Sequence, residues 1–242
     1  MRRRETDVDR RRFLSAGGFS LTAAFLAACN IDRSPRAQRL LDLAEHRNEG
    51  VERSLFHHTS MDGAKSNAKI AGSAFPSYFV STTVPVWDER VRGPWALEVS
   101  GLVNNPVKLS LDDLRRLPFR SQRVDHFCVE GWNAIAVWQG VRLSDIARVV
   151  GLKPDAAYVD FQSFDDDYHE SWDMESAMHP QTLITFAMDG HLLGAAHGAP
   201  ARVHSPVKLG YKNTKYLTKI VFLPQRNGGY WSDQGYEWYG GV

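Results

Sequence analysis

The sequence predicts an α+β fold, a strand-rich single domain, on three observations. Residues 95–101 place Trp95, Leu97 and Val99 on one face and Glu98 and Ser100 on the other, which is the period of a half-buried strand. Two short segments further along carry helix-start and helix-stop residues. Several other short apolar stretches lie between turns, and the chain shows no convincing internal repeat. Many short strands with a few short helices are typical of an α+β domain.

The elements are predicted in chain order as follows. Residues 44–53 are charged and predict a short helix. Ser110 and Asp113 have the spacing of a capping box, which predicts a helix over 110–117. Ser144 is the predicted N-cap of a second helix, and Gly151 is its predicted stop. Asp189 and Gly190 predict a tight turn. Further strands are predicted over 123–129, 157–164, 183–189, 201–206 and 214–224.

Residues 1–28 predict an export signal. Arginines at 2–4 and 10–12 precede a small and apolar run over 15–28, and Arg10-Arg11-Arg12-Phe13-Leu14 matches the twin-arginine pattern. The run is shorter than the roughly 17–25 residues of a membrane-spanning helix. We therefore expect a signal read by the export machinery and a periplasmic or cell-envelope protein, with a frayed amphipathic N-terminus as the alternative.

The two cysteines of the chain have different expected roles. Leu26-Ala27-Ala28-Cys29 resembles the lipobox of bacterial lipoproteins, so Cys29 is a candidate lipid anchor, although ordinary signal cleavage after Ala28 fits as well. If Cys29 is lipidated, Cys128 has no partner, whereas exported domains usually use cysteines in pairs. Cys128 would then hold a metal or act in catalysis, and a buried structural cysteine is the third alternative.

Composition sets broad limits on the function. The hydrophobic content of 43% is ordinary for a globular domain. Residues 1–28 carry six arginines and three acids, so the net charge of +1 becomes −2 without them. Such a balance gives no indication of a nucleic-acid partner. We expect residues 29–74 to form a tether and wrapping arm, and residues 75–242 to form the functional domain.

Four sequence blocks in order resemble the molybdopterin domain of the sulfite oxidase superfamily. They are HFCVEGW at 126–132, Gly140-Val141 with Leu143, HGAPAR at 197–202 and SPVKLGYKNTKYLTKI at 205–220. The similarity runs roughly over 75–242 and is greatest to the exported bacterial branch of methionine sulfoxide reductase catalytic subunits. It implies a strand-rich molybdopterin-binding domain, a molybdenum-molybdopterin cofactor and oxygen-atom transfer, in the direction of reducing S-oxides such as methionine sulfoxide.

The resemblance makes Cys128 the metal ligand and the catalytic residue. A thiolate is a soft donor that coordination keeps deprotonated, and the cofactor supplies the other sulfurs. This explains why the sequence has no Cys/His cluster of the kind that zinc requires. His126 lies two residues earlier, which on a strand places both side chains on one face. His126 would then support the metal ligand, with a surface histidine as the alternative.

The cofactor's pterin and phosphate imply a polar, cationic site. Arg202, Lys208, Lys212 and Lys215 lie within fourteen residues, with a solvated charged strand as the alternative. His197 departs from the asparagine that the family often has before Gly-Ala-Pro, but it can still donate a hydrogen bond. The candidate cofactor-binding residues are Tyr78, Ser81, Thr82, Ser163, His197, Arg202, Asn213, Thr214 and Lys215.

The expected substrate side is acidic and aromatic. Glu130 and Trp132 follow Cys128, which suits a neutral S-oxide better than a sulfite dianion. Residues 165–170 predict an acidic loop that adds negative charge to this side, with a merely solvated loop as the alternative. Residues 227–241 predict either a pocket rim or a cap on the core. No CxxCH haem motif occurs, so a monomer that exchanges electrons with a membrane haem protein or a soluble cytochrome is implied. The alternatives are a sulfite-oxidising enzyme, a metal-free thiol enzyme using His126 as base, and a non-catalytic binding lipoprotein.

Overall fold

The computed structural model describes residues 35–55, 61, 63, 69–165 and 167–242. It separates into two compact units, residues 1–51 and 52–242. Residues 44–53, predicted as a short helix, belong to the longer helix α1 (Pro35–Leu55). The predicted signal and Cys29 lie outside the described residues. Within those residues, no helix combines the length and the apolar character needed to cross a membrane.

The second unit is built on two sheets. One has the strand order β2-β1-β10-β5-β6, and the other has the order β3-β4-β7-β8 with β9 paired to β7. Among the strand pairs of the described residues, β1 and β10 run parallel and the others are antiparallel. The described strands are β1 (Ala96–Gly101), β2 (Val107–Ser110), β3 (Phe119–Phe127), β4 (Asn133–Arg142), β5 (Tyr158–Ser163), β6 (His169–Asp173), β7 (Leu183–Met188), β8 (His191–Leu192), β9 (Arg202–His204) and β10 (Leu217–Leu223).

The helices of this unit are short. They are α2 (Glu89–Arg92), α3 (Leu111–Arg116), α4 (Leu143–Val150) and α5 (Met174–Ala177), with 3-10 turns at Gly72–Ala74, Ala195–His197, Gly210–Lys212 and Ser232–Gln234. The α+β, strand-rich class is therefore confirmed. The strands predicted around 95–101, 123–129, 157–164, 183–189, 201–206 and 214–224 are all present, and Asp189-Gly190 forms the β7–β8 turn with both residues at positive φ.

One helix start was predicted correctly and the other was not. The Ser110 hydroxyl accepts from the Asp113 N–H, and the Asp113 carboxylate accepts from the Ser110 N–H, which completes the capping box of α3. The prediction that Ser144 caps α4 is wrong: that helix begins at Leu143. The Leu143 N–H donates to the Thr182 carbonyl at 3.1 Å, so a neighbouring segment supplies the acceptor that a cap would have supplied.

Removing the capping box should cost measurable stability. We expect Ser110→Ala to lower the free energy of unfolding by about 1 kcal/mol, because the first turn of α3 loses a side-chain acceptor. Urea unfolding measures the change. Ser121→Ala, at an exposed strand position, is the matched control and should stay within about 0.5 kcal/mol of the parent chain. Equal free energies of unfolding for Ser110→Ala and Ser121→Ala would show that the capping box does not contribute to stability.

The core joins the two sheets and reaches the region of Cys128. Its larger cluster takes residues from both, including Leu97 and Phe161 of the first sheet and Ile184 of the second. A smaller cluster contains Phe75, Val124, Ala136, Trp138 and Leu193. This smaller cluster packs around the end of the β3–β4 hairpin, where the chain turns through residues 128–132. Burial on both strands therefore fixes the position of that hairpin loop.

Candidate active site

A cavity of about 370 Å³ opens beside the β3–β4 hairpin loop. The chain segments that line it come from the start of the second unit, from the hairpin loop, from the end of β5, from β9 and the loop after it, and from the C-terminal segment. The lining residues are Phe75, Pro76, Tyr78, Phe79, Val80, His126, Cys128, Val129, Glu130, Trp132, Ser163, Asp165, Tyr168, Arg202, Gly210, Tyr211, Asn213, Lys215, Tyr216, Trp231 and Tyr236.

The cavity collects six of the ten candidate site residues predicted from sequence. They are Cys128, Tyr78, Ser163, Arg202, Asn213 and Lys215. The other four, Ser81, Thr82, His197 and Thr214, do not line it. Most of the predicted residues therefore line one cavity, and the other four lie outside its lining.

Cys128 is the first residue of the hairpin loop rather than a residue of β3. Its N–H donates to the Trp132 carbonyl at 2.9 Å, and its carbonyl accepts from the Gly131 N–H at 3.0 Å. Gly131 has φ +85°, a value that favours glycine and lets the loop turn within five residues. The thiol is free and half-buried in the cavity wall. Burial raises its pKa, so by itself it is a protonated thiol at neutral pH.

His126 lies at the end of β3 and does not pair with the thiol. Its Nδ1 lies 3.3 Å from Nε2 of His204, and both rings are buried. Burial and the nearby cations Arg202 and Lys215 lower the pKa of His126 to about 3, which keeps the ring neutral. The surface-histidine reading is therefore wrong. Within the described residues no hydrogen bond joins His126 to Cys128, so the metal-free thiol enzyme lacks its base.

Arg202 and Lys215 bring positive charge to the cavity. Arg202 is completely buried and donates to the carbonyls of His197 at 3.2 Å and Asn213 at 3.1 Å. Lys215 donates to the carbonyls of Tyr78 at 2.6 Å and Ala196 at 3.0 Å. Burial, followed by repulsion from Arg202, lowers the pKa of Lys215 to about 7. An anionic group in the cavity would favour the charged form of this lysine.

Lys208 and Lys212 do not join this pair of cations. Lys208 donates to the Tyr239 carbonyl at 2.6 Å and to Asp173 at 3.3 Å, while Lys212 lies 2.5 Å from the Glu170 carboxylate. Both lysines are buried. The expected cluster of four phosphate-binding cations is therefore wrong for these two, and so is the solvated charged strand. They are structural ion pairs.

Two carboxylates of the acidic segment 165–170, those of Asp165 and Glu170, are buried rather than solvated, whereas Asp167 is exposed. Asp165 is buried and accepts from the N–H groups of Val80 and Ser81, at 3.0 Å each, and from the Ser81 hydroxyl. Glu170 is buried with Lys212. These carboxylates were expected to face water, but each accepts bonds from segments distant in sequence. Asp165 thereby holds the segment around Tyr78 against the cavity.

Of the remaining candidates, Asn213 and Ser163 line the cavity, and the others lie behind or beside its wall. Asn213 donates to the carbonyls of Lys208 and Leu209 and accepts from the Ser205 N–H, so it pins the loop after β9. Ser163 accepts from the Asp165 N–H. Ser81 is bound to Asp165 and Thr82 is exposed. His197 packs edge-on against Phe75 at 5.7 Å between ring centroids.

Sequence reasoning missed several lining residues, above all the tyrosines Tyr168, Tyr211 and Tyr216. The segment 227–241 had two readings, and the structure assigns residues to each: Trp231 and Tyr236 line the cavity, whereas Trp238 and Tyr239 are buried in the interior. The aromatic density of that segment was the available signal. The tyrosines carried no such signal, because only the folded chain brings them to one wall.

The residues present fit a molybdopterin. Three buried polar atoms in this region have no partner among the described residues: the Tyr216 hydroxyl, the Thr214 hydroxyl and His197 Nδ1. Such atoms call for a hydrogen-bonding ligand or water. Gly210 lines the cavity, and a Cβ there would come within 2.8 Å of His126 Nε2. No three His, Cys, Asp or Glu side chains cluster for a metal in the described parts of the chain.

Comparison with known proteins gives matches at three levels. The family model described as oxidoreductase molybdopterin binding domain matches residues 82–231. A putative protein-methionine-sulfoxide reductase subunit YedZ1 of Azospira oryzae is 38% identical over 235 residues, which cover 95% of this chain and 85% of that protein. The protein-methionine-sulfoxide reductase catalytic subunit MsrP of Ralstonia nicotianae is 34% identical over 154 residues, which cover 57% of this chain and 46% of MsrP.

A solved structure shows the same fold. The sulfane dehydrogenase SoxCD from Paracoccus pantotrophus superposes with a TM-score of 0.52 at 22% identity, and the match covers 55% of this chain and 39% of that one. The likeness extends to the fold, in agreement with the two mixed sheets and few helices described above. The chain belongs to the oxidoreductase molybdopterin-binding domain family, and it is a molybdenum-molybdopterin oxidoreductase with the sulfite oxidase type of fold.

Proposed function

We propose that this protein reduces S-oxides, methionine sulfoxide in particular, at the cavity that contains Cys128. The observation that carries the proposal is a free cysteine in the wall of a cavity whose exposed lining residues, here called the mouth, carry one charge. They are Tyr78, Val129, Glu130 and Tyr236. The names of the Azospira and Ralstonia relatives support the same substrate. The reaction takes two electrons and two protons, removes the oxygen of the S-oxide as water and leaves a sulfide.

Different residues of the chain are proposed to bind the metal and the anionic groups of the cofactor. Cys128 is the proposed metal ligand, and Arg202 and Lys215 are the proposed partners of the cofactor's anionic groups. Tyr78 and Asn213 line the same space. Ser81, Thr82, Ser163, His197 and Thr214 complete the proposed binding set, as wall or second-layer residues. When bound, the cofactor supplies two-electron oxygen-atom-transfer chemistry.

The cavity mouth suits an uncharged S-oxide side chain. Two aromatic pairs line the cavity: Trp132 stacks on Tyr78 with 6.0 Å between ring centroids, and Trp231 packs on Tyr236 with 5.0 Å between ring centroids. Aromatic rings bind sulfur-containing side chains favourably. The cations Arg202 and Lys215 donate to backbone carbonyls. Because both cations are also the proposed partners of the cofactor's anionic groups, a sulfite dianion would compete with the cofactor for them.

Electrons and location complete the proposal. The electrons come from a separate protein, either a membrane haem protein or a soluble cytochrome, and the chain acts as a monomer. Residues 1–28 direct export by the twin-arginine route, Cys29 is the candidate lipid anchor, and residues 29–74 tether the domain formed by 75–242. The protein would then act in the periplasm or on the cell envelope.

A two-direction assay tests the function. Protein produced with its signal in a host that makes molybdopterin is given reduced benzyl viologen and methionine sulfoxide, and separately sulfite and ferricyanide. We expect rapid viologen oxidation with the sulfoxide and little ferricyanide reduction with sulfite. The opposite ratio of rates would overturn the proposed substrate class.

Trp231 should contribute to substrate binding. We expect Trp231→Ala to raise the KM for a methionine sulfoxide peptide by roughly three- to tenfold with little change in kcat, because an aromatic contact is worth about 0.5–1.5 kcal/mol. Steady-state kinetics measure KM and kcat separately. Phe119→Ala removes an exposed aromatic ring at the far end of β3 and should leave KM unchanged. If Trp231→Ala keeps the parent KM, Trp231 does not contribute to substrate binding.

A further inference from the structure

Glu130 places a fixed negative charge beside the sulfur of Cys128. Its Oε2 lies 4.0 Å from the Cys128 Sγ, and the same oxygen accepts the Trp132 indole N–H at 3.1 Å. Trp132 is in turn stacked on Tyr78. Glu130 is exposed, and its carboxylate is oriented by the hydrogen bond to one member of this aromatic pair.

The charge of Glu130 has no partner of opposite sign at this place. Among the described residues Glu130 forms no salt bridge, and the cations that line the cavity, Arg202 and Lys215, donate to backbone carbonyls instead. The other lining carboxylate, Asp165, is occupied by the backbone of residues 80–81. The Glu130 carboxylate raises the pKa of the nearby Tyr78 phenol.

A like charge next to this carboxylate is disfavoured. Two unit charges a few ångströms apart in a partly solvated site repel enough to change a rate by roughly three- to tenfold, and added salt screens part of the effect. An uncharged group approaching Cys128 feels no such repulsion. The mouth thus discriminates between substrates by their charge.

We propose that Glu130 is a specificity-determining residue that excludes anionic substrates, so that the site takes S-oxides whose surroundings are neutral, such as a methionine sulfoxide flanked by amides. This inference rests on the proposed S-oxide reduction. Glu130 acts by its charge and its position at the mouth, and it forms no bond with the substrate. Anionic S-oxides of the same size and shape are the disfavoured class.

A pair of matched substrates tests the inference in the loaded enzyme. N-acetyl-methionine sulfoxide carries a carboxylate, and its amide is neutral and nearly identical in shape. We expect the parent enzyme to prefer the amide in kcat/KM, and Glu130→Gln to reduce that preference by roughly three- to tenfold. High salt should reduce it in the parent only. Asp112→Asn, which removes a carboxylate on α3 outside the cavity lining, should leave the preference unchanged.

A second measurement tests the effect of the Glu130 charge without S-oxide reduction. In the full chain carrying Cys29→Ser and produced without cofactor, with folding verified by circular dichroism, Cys128 is alkylated by anionic iodoacetate or neutral iodoacetamide. The ratio of the two rates cancels the reactivity of the thiol itself. We expect Glu130→Gln to raise the iodoacetate/iodoacetamide ratio by roughly three- to tenfold.

The two readouts separate the possible failures. An alkylation ratio that Glu130→Gln leaves unchanged would overturn the role of Glu130, whether or not the enzyme reduces S-oxides. A raised ratio in a protein that reduces neither substrate would overturn the proposed function and leave the charge selection at the mouth in place.

Discussion

Replacing Cys128 with serine should abolish S-oxide reduction while leaving the domain folded. A hydroxyl is a harder and less donating ligand than a thiolate, so the metal would lose the one sulfur found among the described residues that line the cavity. Even residues that merely support metal ligands cost about 10–100-fold when replaced, and we expect a larger loss for the ligand itself. Steady-state rates with reduced viologen measure the loss, and circular dichroism verifies the fold.

The second cysteine provides the matched control for this variant. Cys29→Ser removes the other thiol of the chain and should keep the full rate, because the proposed role of Cys29 is anchoring. Full activity in Cys128→Ser would contradict the assignment of Cys128 as ligand. Loss of activity in both variants would point instead to a failure of export or maturation.

Lys212→Met should be the most destabilising of the substitutions considered. Lys212 and Glu170 are both completely buried and their charged atoms lie 2.5 Å apart. Burial lowers the pKa of the lysine and raises that of the glutamate, and the charge of each partner opposes the shift in the other. Without the lysine, Glu170 is left as a buried charge, for which the usual cost is about 3–5 kcal/mol.

Urea unfolding tests the ion pair. We expect Lys212→Met to lower the free energy of unfolding by about that amount, and the double variant Lys212→Met/Glu170→Gln to recover part of it, because the orphaned charge is then gone. Lys219→Met, at an exposed position of β10, should change stability by less than about 0.5 kcal/mol. A Lys212→Met chain as stable as Lys219→Met would show that the pair is not buried in solution.

The same ion pair connects stability to the active site. Glu170 also accepts from the Trp231 N–H at 3.1 Å, and it lies where a Cβ on Gly229 would clash with its carboxylate. The Lys212–Glu170 pair therefore holds the C-terminal segment that brings Trp231 to the cavity. A variant that frees this segment should lose substrate affinity as well as stability.

Local patterns in the sequence predicted the local structure well. The alternation at 95–101, the Ser110–Asp113 box and the Asp189-Gly190 turn depend on residues a few positions apart, and all three are present. The Ser144 cap failed because the acceptor for the Leu143 N–H comes from Thr182, about forty residues away. A pattern that spans four residues contains no information on such a partner.

Long-range partners also explain what the sequence could not predict of the site. Lys208, Lys212 and Lys215 look alike in the sequence, yet the first two face the carboxylates of Asp173 and Glu170 and only Lys215 reaches the cavity. The position of Cys128 was more predictable, because an unpaired cysteine in a family-like block is a local feature. Its place in the hairpin loop rather than on the strand was not.

The molybdenum content of the purified protein tests the central claim most directly. The full chain is produced in a host that makes molybdopterin, and metal per chain is measured by inductively coupled plasma mass spectrometry beside the same chain from a host unable to make the cofactor. The proposed site predicts close to one molybdenum per chain in the first sample and none in the second. Folded, exported protein without molybdenum would contradict a Cys128-centred molybdenum site.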